Sequence, residues 1–459
     1  MRISRRSSPY SLGILTRSSS VLFSGLFITI LLVTSSFLWT FIPYTYFYAN
    51  AAYTKAVPAA AGPTINDPNL KAEVIFKGLK IPTSMAFLGP NDILVLEKNS
   101  GNVLRIVDGR VLEKPLLHVN VPTQFLEWGL LGIAISREGN LASEESSQGH
   151  TYVFLYYTKS TANPRVSAGN HLYRYELVND QLVNPVDLLN LPSNAPDPIV
   201  ESNHNGGKVL IGPDNNVYTV IGDVGSHDGQ AQNNKIGKKL DGTSGILRIT
   251  KDGQPVAPDP LGQEDPTRVY YAYGIRNSFG MDFDPVTGNL WETENGPTYG
   301  DEINLVKPGF NSGWNQIMGV WQTNGPLQGP VVENPAKDLI NFGGKGIYRA
   351  PEFVWNQTVG PSALKFLNSD KLGKQYQNTM FVGDVNTGNL YNFKLNEDRT
   401  GLLLSGPLEG KVANSLDDLK PVIFGHGFGT ITDIEVGPDG FLYVLTFDGT
   451  IYRIVPITS

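Results

Sequence analysis

Apolar residues in this chain recur on alternate positions in short runs, a period of two that builds half-buried strands rather than helices. Six such runs open similar units: Ser84-Met85-Ala86-Phe87, Gly132-Ile133-Ala134-Ile135, Val209-Leu210-Ile211-Gly212, Gly280-Met281-Asp282-Phe283, Ala363-Leu364-Lys365-Phe366 and Asp433-Ile434-Glu435-Val436. Turn sequences follow four of them: Gly-Pro-Asn-Asp at 89–92, Gly-Pro-Asp-Asn at 212–215, Asp-Pro-Val-Thr-Gly at 284–288 and Gly-Pro-Asp-Gly at 437–440. Each permits a hairpin, because Asn, Asp and Gly tolerate left-handed backbone and Pro presets φ. Several units close on a second alternating run: Val103-Leu104-Arg105-Ile106, Leu172-Tyr173-Arg174-Tyr175, Ile246-Leu247-Arg248-Ile249, Leu390-Tyr391-Asn392-Phe393 and Ile451-Tyr452-Arg453-Ile454. Uneven spacing between the starts means that the units carry insertions of different length. A strand unit repeated six times predicts an all-β, six-bladed β-propeller, whose radial sheets protect one another's edges. A pair of β-sandwiches is the competing architecture, but it does not demand six matching turn cassettes. The run from Glu73 to Phe76 is expected to pair with the last unit and close the ring.

Composition narrows the chemistry. The 49 Gly and 31 Pro among 459 residues exceed the roughly 12% of an average protein and fit a turn-rich fold. A formal charge of -7 argues against a nucleic-acid partner, which needs clustered Lys and Arg. With no cysteine, thiolate nucleophiles, Cys-ligated zinc, iron–sulfur clusters and disulfides are excluded. Chemistry is left to His, carboxylates, Arg, amides, hydroxyls or a bound cofactor.

The N-terminal segment has its own signature. Arg2, Arg5, Arg6 and Arg17 precede an apolar run from Val21 to Ile42, and no acid occurs before Asp67. This reads as an export signal, with Ala49-Asn50-Ala51 as a small-residue cleavage site. The run is also long enough to span a bilayer, so a membrane tether through residues 21–42 stays open. Either way the rest of the chain is expected outside the cytoplasm, secreted or anchored. The expected organisation is therefore 1–51 signal or anchor, 52–69 a Pro- and Ala-rich linker, and 70–459 the propeller.

Function is sought in the insertions, since loops on a rigid scaffold usually carry the site. Four stretches stand at the ends of predicted strands: Glu127-Trp128-Gly129-Leu130-Leu131-Gly132, Asn203-His204-Asn205-Gly206-Gly207-Lys208, Tyr273-Gly274-Ile275-Arg276-Asn277, and Glu294-Asn295-Gly296-Pro297 running into Gly300-Asp301-Glu302-Ile303-Asn304. Taken in this order, and with Phe310-Asn311-Ser312-Gly313-Trp314 after the last, they resemble the soluble quinoprotein glucose/sorbosone and aldose sugar dehydrogenases. The resemblance runs from about Leu79 to Ile454. It implies a six-bladed propeller that uses pyrroloquinoline quinone and calcium (Ca2+) to oxidise a sugar at its C1 hydroxyl and passes electrons to an external acceptor.

By that resemblance His204 is the general base, Arg276 and Asn277 contact the quinone oxygens, and the Gly296 and Pro297 carbonyls hold calcium. Asp301 and Glu302 join the metal-linked structure, and Glu127 stands where relatives place a cofactor-binding glutamine. Two departures accompany these matches. The acid that precedes the base in relatives is Asn203 here. The Lys and two Arg that grip the cofactor carboxylates are replaced by Asn386, Thr430 and Thr432, with Lys345, Arg349 or His426 as conceivable substitutes.

The residue types suit the chemistry on their own terms. His titrates near neutrality and serves as base for an alcohol, Arg stabilises oxyanion character, and calcium takes carbonyl and carboxylate oxygens. Plainer readings stand beside these. His204 and Arg276 also fit as loop pins, His227 as a surface loop residue, Asp223 as a turn cap or metal ligand, and Trp128, Trp314 and Trp355 as core rather than sugar-stacking residues. At function level, an exported sugar oxidoreductase competes with a non-catalytic extracellular binding propeller. A calcium-dependent lactonase is a weaker third reading, because it lacks a matching carboxylate cluster.

Overall fold

The turn cassettes are locked by their own carboxylates. Asp214 accepts from the Asn216 N–H at 3.2 Å and the Tyr218 hydroxyl at 2.9 Å. Asp439 repeats the device at the other end of the chain, taking the Phe441 N–H at 3.1 Å and the Tyr443 hydroxyl at 2.8 Å. Asn215 and Gly440 supply the left-handed residue that each reversal needs, at φ 64 and 81.

The structure is a computed structural model that describes residues 62–138, 149–194, 202–225, 227, 229–235, 237–262, 267–323 and 337–457. Its strands form six sheets of four to six strands and one two-stranded ribbon, Ile317–Met318 with Trp321–Gln322. The inner strands, in chain order, are Pro82–Gly89, Leu130–Glu138, Val209–Ile211, Ser278–Phe283, Pro361–Phe366 and Ile431–Val436. Neighbouring inner strands pack side by side, the third sheet reaching the fourth through Val217–Ile221, and the sixth packs back on the first. The chain is an all-β β-propeller. The second alternating runs named above are the third strands of their sheets.

Ring closure follows the expectation. Leu70–Lys77 pairs antiparallel with Thr450–Pro456, so both ends of the described chain build the last sheet, and Glu73 takes the Arg453 guanidinium at 2.5 Å. The expected linker at 52–69 ends early: Thr64 and Ile65 pair with His426 and Gly425 at the edge of the fifth sheet. The export signal or anchor expected at 1–51 lies outside the described residues. Among the described residues no helix is long and apolar enough to cross a membrane.

Large apolar side chains fill the gaps between sheets. Trp291, Phe353 and Trp355 of the fourth sheet meet Phe366, Tyr391 and Phe393 of the fifth with essentially no exposure, a dry interface that dominates the burial energy. Inner strands approach one another more closely still. A side chain at Gly132 would collide with the Gly207 carbonyl oxygen, which is why a glycine stands there.

Charges, not apolar groups, join the inner strands across the axis. Lys208 reaches Asp433 at 2.7 Å and Glu435 at 3.0 Å, while Lys365 reaches Glu435 at 2.8 Å and Asp282 at 3.5 Å. Asp433 also accepts from the Ser84 hydroxyl and the Met85 N–H, both at 2.9 Å. Five of the six sheets are tied by this network. Lys208→Met leaves buried Asp433 without its cation and Glu435 with only Lys365, so it is expected to destabilise the fold by about 3–5 kcal/mol; urea unfolding measures this, and a loss within error of zero contradicts it.

Candidate active site

In each sheet the turn after the first strand sits at one rim, so the entry to the first strand and the loop after the second share the opposite rim. That geometry gathers Glu127, ahead of Leu130–Glu138; His204, ahead of Val209–Ile211; Arg276 and Asn277, ahead of Ser278–Phe283; Asp223, after Val217–Ile221; and Gly296, after Leu290–Glu294.

His204 does have a carboxylate, supplied by Asp223 rather than by a sequence neighbour. Its Nδ1 lies 2.5 Å from the Asp223 Oδ1, and its backbone holds φ 66, an uncommon value for a non-glycine residue. Asp223 is buried, with its other oxygen taking the Trp314 indole N–H at 2.8 Å and its own N–H donating to the Arg276 carbonyl at 2.9 Å. Burial alone would raise the Asp223 carboxyl. The His204 charge and hydrogen bond, then the Arg276 charge and the Trp314 N–H, outweigh it and hold the group below its ordinary value. An ionised carboxylate only accepts, so the bridging proton sits on the His204 Nδ1, and Nε2 is the ring nitrogen that faces away from Asp223.

Arg276 is fixed by its whole length. Its backbone N–H donates to Glu294 at 2.6 Å, its Nη1 donates to the Asn295 and Gly296 carbonyls at 2.8 and 3.1 Å, and its guanidinium lies 5.4 Å from the centre of the Trp314 ring. Loop pinning, the plain reading of this residue, is therefore part of its role. Burial lowers its pKa against the opposing charges of Asp223, Glu127, Asp301 and Glu294. The guanidinium Nε, the Asn277 Oδ1 and the Asn295 Oδ1 are buried without a partner among the described residues. Glu127 bridges the two halves of the cluster, accepting from the Asn205 N–H at 2.9 Å and the Asn277 side-chain amide at 3.2 Å.

One cation was not foreseen from the sequence. Lys98, at the end of Asp92–Glu97, is buried and donates to the Trp128 carbonyl at 2.8 Å beneath the Glu127 loop. Burial pulls it down to about 8, against the charge of Glu127. By contrast, Lys345 and Arg349 flank an outer strand of the third sheet, Ile347–Tyr348, and His426 ends an outer strand of the fifth. All three are exposed. Thr430 and Thr432 donate to the Val385 and Leu445 carbonyls at 3.3 Å each, and the Asn386 N–H donates to the Val359 carbonyl at 3.1 Å.

Of the expected metal set of Gly296, Pro297, Asp301 and Glu302, the two acids are engaged by hydrogen-bond donors of the protein. Asp301 is a backbone clamp: one oxygen takes the Gly296 N–H at 2.8 Å, the other the Val359 and Gly360 N–H groups at 2.7 and 2.8 Å. Glu302 is sealed beneath the rim, where Asn304 donates to it at 2.9 Å and the Gly319 N–H donates to its other oxygen. Gly296 presents its carbonyl at the rim and Pro297 is exposed. Among the described residues no group of three or more His, Asp or Glu is disposed to hold a metal ion.

The remaining candidates find ordinary partners. His227 pins two loops through Asp241 at 3.0 Å and the Asn194 carbonyl at 2.5 Å. Trp128 and Trp355 are core residues, the former donating to the Ser193 carbonyl at 3.0 Å.

Beneath Arg276, Glu292, Glu294 and Glu302 are fully buried together, and burial pushes all three carboxyls up, Glu302 to about 8. A carboxyl raised on folding keeps its proton in the native state while the unfolded chain has lost it, so stability falls as pH rises from the ordinary carboxylate range to about 8. In chelator-treated protein the melting temperature is expected to drop across that window, and Glu302→Gln to flatten the drop; parallel pH profiles for the two proteins contradict the assignment.

The comparisons with known proteins bear on this site. Residues 79–453 match the family model of glucose/sorbosone dehydrogenases. The aldose sugar dehydrogenase of Escherichia coli K12 is 25% identical over 400 residues, 86% of this chain and 94% of that protein. Quinoprotein glucose dehydrogenase B of Acinetobacter calcoaceticus is 25% identical over 441 residues, 82% and 85% of the two chains. The fold is similar to that of the aldose sugar dehydrogenase of Streptomyces coelicolor, solved in its PQQ-bound form, with TM-score 0.58 at 22% identity over 86% of this chain and 99% of the other. With residues 79–453 spanned by the match, the chain belongs to the glucose/sorbosone dehydrogenase family.

Proposed function

We propose that this protein is an exported quinoprotein oxidoreductase that oxidises an aldose or related sugar at its C1 hydroxyl, with pyrroloquinoline quinone and calcium at the rim and an external electron acceptor. In this reading the six sheets are the blades of a six-bladed propeller, and residues 1–51 deliver it outside the cytoplasm, cleaved or as a tether. The observation that carries the proposal is the His204–Asp223 pair standing beside Arg276, with the Arg276 Nε, Asn277 Oδ1 and Asn295 Oδ1 buried and unpaired. Buried polar atoms normally have partners, and these three are a donor and two acceptors on one rim.

The residues present fit the two absent groups. The Arg276 Nε, with Nη1 already turned to the carbonyls of Asn295 and Gly296, suits an anionic or carbonyl oxygen of a quinone. Oxygens of Asn295, Gly296 and Asn277 suit a hard cation. When bound, the quinone supplies the two-electron acceptor for the C1 hydride. The protein's part is acid–base and electrostatic: His204 Nε2 takes the hydroxyl proton, Asp223 holds the resulting imidazolium charge at Nδ1, and Arg276 stabilises negative charge facing it.

A second reading keeps one observation of its own. Asn386, Thr430 and Thr432 offer amides and hydroxyls where relatives place three cations, which favours a binding propeller with weak or no hold on a tricarboxylate.

His204→Ala is expected to cut turnover by about a hundredfold to ten-thousandfold with quinone binding intact, and Asp223→Asn to cut it by up to about ten-thousandfold through the wrong imidazole tautomer. Dye-linked assays of quinone- and calcium-loaded protein over a sugar panel measure both; wild type that oxidises no sugar and binds no quinone leaves the binding propeller. Asn386→Lys is expected to tighten quinone binding by one charge-assisted contact, about 1.5–3 kcal/mol, read by fluorescence titration.

A further inference from the structure

We propose that Trp314 is a positioning residue that keeps the carboxylate of the base apart from the quinone-facing guanidinium. This rests on the oxidoreductase reading above and adds a residue to it. Asp223 and Arg276 are opposite charges in one buried pocket: the Asp223 N–H donates to the Arg276 carbonyl at 2.9 Å, and both side chains meet Trp314. Two such groups, left to themselves, would form a bidentate pair. They do not: among the described residues the Asp223 carboxylate pairs with His204, and the Arg276 guanidinium turns to two backbone carbonyls.

Trp314 accounts for both choices at once. Its indole N–H occupies the Asp223 Oδ2 at 2.8 Å, which leaves Oδ1 aimed at His204 Nδ1. Its ring face carries the guanidinium, whose Cζ lies 5.4 Å from the ring centre. One side chain thus caps the oxygen that Arg276 would otherwise take and holds Arg276 where it cannot take it.

The indole is itself anchored. The Trp314 backbone N–H donates to the Gly274 carbonyl at 3.0 Å, and its backbone carbonyl accepts from the Asn233 side-chain amide at 2.7 Å. Asn233 in turn exchanges amide hydrogen bonds with Asn311, at 3.0 and 2.7 Å. The loop that carries Trp314 is therefore tied to the Asn233 loop and to the strand end that leads into Arg276. The ring also packs, partly buried, against the cluster of Tyr299, Met318, Trp321 and Val354.

Full-length protein, first without and then with quinone and calcium, tests the proposal through variants that separate the two jobs. Trp314→Phe keeps the ring and deletes the N–H, whereas Trp314→Leu deletes both. In quinone-free protein the His204 Nδ1 proton, followed by nitrogen-edited NMR, is expected at low field in wild type, lost or shifted upfield in Trp314→Phe, and absent in Asp223→Asn. In loaded protein, kcat/KM is expected to fall about 10- to 100-fold in Trp314→Phe with quinone affinity near that of wild type, and Trp314→Leu to weaken quinone binding as well. A His204 resonance and titration in Trp314→Phe indistinguishable from wild type overturns the proposal. Should Trp314→Phe not fold, exchange of the wild-type Trp314 indole proton decides: protection supports a held donor, and rapid exchange overturns it. Because the NMR arm needs neither quinone nor sugar, an inactive wild type would count against the oxidoreductase reading without touching this result.

Discussion

The ring closes because one sheet is made from both ends of the described chain. Leu70–Lys77 adds to Thr450–Pro456, and the Glu73–Arg453 pair fastens the seam. Once closed, each inner strand must fit between two others, and the tolerance is small enough that Gly132 has no room for a methyl group. His204 and Arg276 enter the third and fourth inner strands, so their separation is set by strand packing rather than by the stability of their own loops. This is the sense in which a propeller positions a site: the loops vary, and the places where they leave the ring do not.

Around that frame the same residue type is put to different uses by its hydrogen-bond partners. Asp214 and Asp439 close turns, Asp301 gathers three backbone N–H groups, Asp433 meets a lysine on the axis, and Asp223 shares its oxygens between an imidazole and an indole. Burial opposes ionisation in all the buried cases. Asp223, beside His204 and Arg276, stays below its ordinary value, whereas burial prevails at Asp433 despite Lys208 and at Asp301, which is held mainly by neutral N–H donors and pushed up to about 6. The difference separates a carboxylate suited to a catalytic dyad from one suited to bracing a turn.

Much of the scaffold was legible beforehand because strand alternation and turn chemistry are local. The six inner runs, the third-strand runs and the closing pairing of Glu73 to Phe76 follow from period and turn residues within a few positions of each other. Less legible was the edge strand Thr64–Ile65, two residues in a stretch that composition marks as linker. At the rim, His204, Arg276, Asn277 and Glu127 stood out by their cassettes and do converge. Asp301 and Glu302 stood out equally, yet a carboxylate's role depends on which donors surround it, and those donors are the N–H groups of Val359, Gly360 and Gly319.

By itself the sequence determined the repeating strand unit, the turns that reverse it and the residue types available at each entry to the ring, because each depends on neighbours along the chain. Only the tertiary structure decided that His204 finds its carboxylate 19 positions later in Asp223, and that Asp223 finds its second donor a further 91 positions on in Trp314. Those partners meet because the loop after one strand and the loops entering the neighbouring sheets share a rim. The lengths of the insertions hide that adjacency from the order of the residues, and the packing of the inner strands creates it.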